Sequence, residues 1–334
     1  MKSIFKTLVI TLLLGSVSLP TVKKVADIAE EVTKNEYVYL IVGLDDAAQN
    51  TDVLALISYN TRGNLASVIQ VPRDTYINFG NRQGRVNHLY ASFRNEGLSQ
   101  EKSMEKTVEF LEVGFGITLD GYAAVTTEVF RDAIDSIGGV VITMPEDFVY
   151  NDPSGNHSFV LLKGENLIDG KTAEIFVSHR KGYSLGDLGR LDAQKIFLNG
   201  LYNTAVKRIG LFDFIKCIES VKDGILTDFS IRDLLIMVLK HSSKFKDVEF
   251  TYITFPGEAV CTPLGKWYYI LNKIAAHKVL SSKIHSFTGD FDINGYFVNK
   301  DNPSFIKIYS SNDIGYKEYS ADELLNIHIA KALN

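Results

Sequence analysis

Cysteine is almost absent from this chain of 334 residues, and neither Cys217 nor Cys261 has metal-ligand spacing or a nearby partner. That scarcity excludes a disulfide-stapled scaffold and a cysteine-built zinc site, and leaves both thiols expected in the core. Positive charge is also in deficit. The net charge of −5 excludes the broad basic face of a nucleic-acid binder. No internal repeat or low-complexity tract appears, so solenoid and disordered-tail architectures are excluded. No Gly-x-Ser-x-Gly elbow occurs and the seven histidines are scattered, which leaves a serine–histidine hydrolase without support. Long apolar runs are missing everywhere except at the N-terminus.

There, Lys2 and Lys6 precede the apolar run Thr7 to Pro20, which has the length of a signal h-region and falls short of the ~20 residues that span a bilayer comfortably. The run reads as a signal anchor, with cleavage after Ser16-Val17-Ser18 as the alternative. Residues 1–35 form anchor and charged linker, and the remainder is placed outside the cytoplasm on a single-pass membrane protein. With 46% hydrophobic and 22% charged residues, the rest of the chain is large enough to bury a full core.

Strand-like apolar runs at 37–42, 53–57 and 65–71 come first, the last two joined by the turn Ser58 to Asn64. A helix is expected from Ser99, with Met104, Val108, Leu111 and Phe115 on one face; another from Thr127 buries Phe130, Ala133, Ile134 and Ile137. That second helix stops at Gly138-Gly139, before the strand Val140 to Met144. Capping boxes at Ser230…Asp233 and Ser320…Glu323 announce two later helices. The pattern predicts an α/β fold, a central mixed sheet flanked by helices in α/β/α layers. Residues 36–277 make up the main domain and 278–334 an appended lobe.

Charged residues gather at the predicted strand ends. Asp45 follows the first apolar run, Asp52 opens the second, and Pro72-Arg73-Asp74 ends the third. Carboxylates hold a hard divalent cation, and a guanidinium fork grips phosphate. Downstream, Arg180 and Lys181 end an apolar run, and Asp187 opens a helix carrying Arg190 and Gln194 on one face. The helix N-terminus adds backbone donors and a positive dipole end for an anion such as a diphosphate.

Taken in order, Gly43-x-Asp45, Thr51-Asp52, Val71-Pro72-Arg73-Asp74, Val86-Asn87-His88-x-Tyr90, Ile137-Gly138-Gly139-Val140, Lys163-Gly164-x-x-x-Leu167-x-Asp169-Gly170, Arg180 and Asp187-x-Gly189-Arg190 resemble the LytR-CpsA-Psr family. The segments Phe255 to Glu258 and Trp267 to Asn272 are similar to the family's closing part. The resemblance implies a membrane-anchored extracytoplasmic phosphotransferase that moves a glycopolymer from a polyprenyl-pyrophosphate carrier to peptidoglycan. It implies Mg2+ at Asp45 and Asp52, and phosphate contacts or catalysis by Arg73, Asp74, Arg180 and Arg190. Arg85, Asn87, Lys181, Asp187 and Gln194 are expected to line the substrate. The cytoplasmic membrane and peptidoglycan are the implied partners, with no nucleic acid.

Three arginines usual in the family are replaced here by Asn50, Ser178 and Ala193. Arg62, Arg82, Arg85 or Lys181 are the candidate substitutes. The loss keeps two other readings open: a weakly active or inactive envelope scaffold, and a metal-dependent pyrophosphatase or phosphodiesterase that uses water as acceptor.

Overall fold

The near-continuous apolar run of Glu36–Leu44 (β1) forms a strand with every second residue buried, and Thr51–Asn60 (β2) folds back on it in antiparallel register. The computed structural model describes residues 34–330 except 46, 48, 49, 80, 81, 153, 230–239 and 242. The expected anchor and the capping box at Ser230 therefore lie outside the described residues. Among those described, no helix is long and apolar enough to cross a membrane.

Leu65–Gln70 (β3), Gly121–Thr126 (β4), Ile225–Thr227 (β5), Glu249–Thr254 (β6) and Glu318–Ser320 (β7) complete a seven-stranded sheet of order β5-β4-β1-β2-β3-β6-β7. The pairs β1–β4 and β3–β6 are parallel and the remaining pairs antiparallel, which gives the mixed sheet expected. The helices are Gln100–Phe115 (α1), Thr127–Ser136 (α2), Gly170–Ser178 (α3), Asp187–Asn203 (α4), Lys273–Lys283 (α5) and Pro303–Tyr309 (α6), besides shorter or peripheral ones. Side-chain oxygens start several of them: Ser99 accepts from Lys102 N at 3.2 Å, and Asp169 accepts from Thr172 N at 2.8 Å.

Each face of the sheet buries its own core. On one, Val38, Leu40, Val42, Leu56 and Ile69 pack with α1, α5 and α6 around stacked rings of Phe115, Phe255 and Phe297, with centroids 5.0–5.1 Å from Phe115. On the other, Ala55, Val68 and Tyr252 meet α2, α3 and α4 through Ile134, Phe176, Ile196 and Phe197. The α/β/α layering is thus established.

Three expectations are corrected. Residues 278–330 are no appended lobe: Val279, Leu280, Phe291, Phe297 and Phe305 belong to the first core, and β7 pairs with β6 in the sheet. The box at Ser320 forms, with Ser320 N donating to Glu323 Oε2 at 2.8 Å and Glu323 N to Ser320 Oγ at 3.3 Å. It starts only a 3-10 turn, Glu323–Asn326. Neither thiol is fully buried: Cys217 is half-buried against the second core, and Cys261 is exposed on the two-stranded ribbon Gly257–Cys261 and Trp267–Leu271.

Candidate active site

Strand direction decides which residues can meet. β1 and β3 end, and β2 begins, at one pole of the sheet, so Asp45, Asp52 and Arg73 gather there. Arg73 Nη1 is ion-paired with Asp52 Oδ1. Asp45 is held differently: its Oδ2 accepts from the Asn50 amide at 2.7 Å, and its N–H donates to Asn50 O at 3.0 Å. Asn50, one of the three positions where the family's arginine is replaced, thus binds the upstream carboxylate.

The segment after β3 is fixed through its backbone. Asn87 N donates to Arg73 O at 3.2 Å, and Tyr269 N donates to Asp74 O at 2.8 Å. The Asp74 carboxylate then sits between two guanidinium groups, Arg73 Nε at 3.8 Å and Arg85 Nε at 3.4 Å. Arg85 in turn donates to Trp267 O at 2.9 Å and lies over the Tyr268 ring. His88 is beside this group, and burial first, then Arg85 and Arg73, lower its pKa from the usual histidine value.

From the other side comes α4. Gly186 precedes it at φ +57°, a left-handed conformation suited to glycine. A Cβ on Gly189 would come 2.6 Å from Tyr183 Cβ, so the helix start can lie this close to the loop only with glycine there. Arg190, 1% exposed, donates to Asp52 O at 2.9 Å, and its Nε and Nη2 lie 3.1 and 3.0 Å from Asp187 Oδ1. Burial lowers its pKa, Asp187 opposes that, and the charges of Arg73 and Arg180 add to the lowering. Arg180 and Lys181 are exposed beyond α3. Arg190 thus feels the charges of both Arg73 and Arg180.

Sequence reasoning missed the polar network beneath them. Gln70 Nε2 donates to Leu191 O at 3.0 Å and to Gln194 Oε1 at 3.2 Å, while Gln194 Nε2 donates to Val177 O at 2.9 Å. Thr254 Oγ1 donates to Gln70 Oε1 at 3.3 Å and accepts from Lys195 Nζ at 2.9 Å, and that ammonium also pairs with Asp192 at 2.6 Å. These contacts join the segments bearing Arg73, Arg180 and Arg190. A polar Gln70 closing an apolar run was the signal available.

Two expectations change. Gln194 is 3% exposed with its amide used internally, so it locks α4 to α3 and β3 and does not face an anion. Arg62 lies in the turn at the opposite end of β2 from Asp52 and cannot replace a missing site arginine. Ser178 is exposed and Ala193 is fully buried. The Arg82 side chain lies outside those described; Arg85 and Lys181 lie at the site and beside Arg180.

What the site lacks is partners for several donors and acceptors. Among the described residues, ten buried side-chain atoms have no hydrogen-bond partner; of the six at this pole, Arg73 Nε, Asp74 Oδ1 and Arg190 Nη2 are taken up by the ion pairs above, and Thr51 Oγ1, Thr75 Oγ1 and Asn87 Oδ1 have no partner. Orphaned polar atoms concentrated at one pole are the mark of a place that a polar ligand completes. The donor set also fits a magnesium ion, which commonly takes one or two carboxylates and completes its shell from phosphate and water. Asp45 and Asp52 supply two; no cluster of three or more His, Cys, Asp or Glu suited to a metal occurs among the described residues.

Comparison with known proteins gives the family and the fold. The model of the LytR_cpsA_psr family matches residues 17–284. A relative from Oceanobacillus iheyensis, named polyisoprenyl-teichoic acid–peptidoglycan teichoic acid transferase TagU, is 26% identical over 246 residues, 72% of this chain and 73% of its own. The TagV transferase of Bacillus subtilis is 25% identical over 72% of this chain and 61% of its own. The crystal structure of B. subtilis TagV superposes with a TM-score of 0.62 at 22% identity, covering 77% of this chain and 98% of that one. A TagT chain bound to LI-WTA superposes at 0.60 with 20% identity, covering 76% and 91%. At these identities the superpositions establish the shared fold.

Proposed function

The chain belongs to the LytR_cpsA_psr family, and we propose that it transfers a glycopolymer from a polyprenyl-pyrophosphate carrier to peptidoglycan, forming a phosphodiester. The observation that carries this reading is that Arg73 and Arg190 both meet Asp52 and that Arg73 and Arg85 flank Asp74, with the orphaned oxygens of Thr51, Thr75 and Asn87 at the same pole. The names of the TagU and TagV relatives and the LI-WTA bound to the TagT chain support the substrate class.

In this mechanism Arg73 and Arg190 bind the phosphate oxygens, and Arg180 approaches from the exposed loop. Arg190 is held by Asp187 and by the Asp52 carbonyl, so its fork is oriented before substrate arrives. The Arg73–Asp52 ion pair must loosen for Arg73 to reach the anion. Asp45 and Asp52 are the residues that would hold magnesium, which when bound offsets the negative charge of the pyrophosphate. Asp74 accepts the proton of the attacking peptidoglycan hydroxyl. The new P–O bond forms as the bond to the polyprenyl phosphate breaks. Lys181 and Arg85 line the surrounding surface, while Asn87, expected there, is buried beneath it and holds the Arg73 carbonyl through its N–H. The N-terminal apolar segment would hold the chain at the cytoplasmic membrane with residues 36–334 outside it, or be cleaved to release them.

The test is incubation of the full-length protein with a polyprenyl-pyrophosphate oligosaccharide, magnesium and a peptidoglycan oligomer, read by mass spectrometry. A covalent glycan–peptidoglycan adduct is the expected product. Free phosphorylated glycan alone would identify a pyrophosphatase, and unchanged substrate an inactive scaffold.

A further inference from the structure

The hairpin that walls one side of the site carries an apolar tip on which, among the described residues, nothing packs. Leu264 is 86% exposed and Trp267 54%, and Ala259, Cys261 and Pro263 are exposed or half-exposed with them. Contiguous exposed apolar groups of this kind are informative, because lone exposed leucines are common whereas grouped ones mark an interaction surface. The tip is not loose chain. Thr262 N donates to Lys266 O at 2.8 Å, Gly265 N to Thr262 O at 2.8 Å, and Lys266 N to Thr262 Oγ1 at 3.2 Å. Five backbone pairs, Gly257 with Leu271 through Cys261 with Trp267, hold the arms. The leucine is thus presented to solvent by a structured turn.

We infer that this tip seats in the interfacial layer of a lipid bilayer beside the site mouth. The occupant is chosen by three observations. The residue set is an aliphatic tip, a half-exposed tryptophan and the exposed cation Lys266, which is the composition that partitions to a membrane–water interface. Its one exposed acid is Glu258, at the root of the arm and away from the turn. The hairpin is continuous with the site, since Trp267 O accepts from Arg85, whose Nε lies 3.4 Å from Asp74. This deepens the transferase reading and rests on it, because a polyprenyl carrier lies in a membrane and its diphosphate meets the site at the lipid surface.

Trp267 is the only tryptophan of the chain, so its fluorescence reports on this hairpin alone. Full-length protein is mixed with, or reconstituted into, phosphatidylglycerol–phosphatidylcholine vesicles whose acyl chains are brominated near the headgroup, without substrate. The expected result is a blue shift and quenching of Trp267 emission. Leu264→Asp should weaken both on the order of tenfold in lipid concentration, the worth of burying one leucine, with an unchanged melting temperature. Emission unchanged by brominated vesicles overturns the inference. So does quenching that persists in Leu264→Asp, or a shift that follows protein concentration without lipid and thereby assigns the tip to a second copy. Because no turnover is read, failure here leaves the transferase reading standing, and failure of transfer leaves the tip's membrane contact intact.

Discussion

The two poles of the central sheet are made from the same strands and differ in kind. At the pole opposite the site, a cleft of about 630 Å³ is lined by Ser58, Asn60, Ser67, Asn199, Tyr202 and Lys207. It is roomy and mixes polar with apolar lining, yet its lysine Lys283 is paired with Glu318 at 2.5 Å. Among the described residues, none that line it has an orphaned buried side-chain atom. At the site pole, ion pairs link Asp52, Arg73, Asp74 and Arg85 in a chain, Arg190 pairs with Asp187 beside them, and the buried Thr51 and Thr75 hydroxyls and Asn87 amide oxygen go unpaired. Space alone does not mark chemistry; unsatisfied polarity and opposed charge held in fixed geometry do.

Substitution can break that contrast, and the largest effect is expected at the site. Arg73→Lys keeps the charge and loses the fork, so transfer should fall ~10²-fold or more while the melting temperature moves little. Equal loss of stability would make Arg73 a scaffold residue. Next in size is the layer between the poles. Lys195 is 2% exposed, and burial lowers its pKa while Asp192 opposes the shift. Asp192→Ala leaves an unpaired buried ammonium and should cost about 3 kcal/mol in denaturant unfolding, with a smaller effect on turnover than Arg73→Lys.

A third, smaller effect is pH dependence. His88 and His179 both have pKa values lowered by burial first, and then by arginines and a lysine nearby. The unfolded chain therefore binds more protons than the folded one just below the ordinary histidine pKa. Stability is full above about pH 6.5 and is lost as pH falls through that value towards the lower folded ones. Melting curves between about pH 7.5 and 5 should show this, and His88→Asn with His179→Asn should flatten it. Smallest of all, Lys207→Ala at the far pole should change transfer less than about twofold and stability by less than about 0.5 kcal/mol.

Much of this architecture is legible in the residues themselves. Continuous apolar runs locate β1, β2 and β3 and helical spacing locates α1 and α2, because a strand covered on both faces is apolar throughout and a half-buried helix must repeat its apolar residues on one face. The order of acidic and basic motifs locates Asp52, Arg73, Asp187 and Arg190. Hidden from the sequence is which polar side chain turns inward: Gln194 shares a helical face with Arg190, yet Gln70 and Val177, distant in sequence, complete its hydrogen bonds. The tail is misjudged for a similar reason. β7 is three residues long and pairs with Thr251, Tyr252 and Ile253 across more than sixty residues of chain, a contact that no local pattern encodes.

The direction of β1 has a consequence for tethering. The chain joins the sheet at Glu36, at the pole remote from Asp45, and nine residues of strand at ~3.3 Å separate that end from the site by roughly 30 Å. Glu36 is pinned there, accepting from His285 N at 2.7 Å and Ser286 N at 2.9 Å. Residues 22–35 reach at most about 50 Å when fully extended. A protein held by its first twenty residues can therefore bring its site to the same bilayer only by doubling back along its own length. With the N-terminal anchor proposed above, most of the linker's reach would be spent on that return, and the site pole would search a patch of membrane little wider than the protein itself.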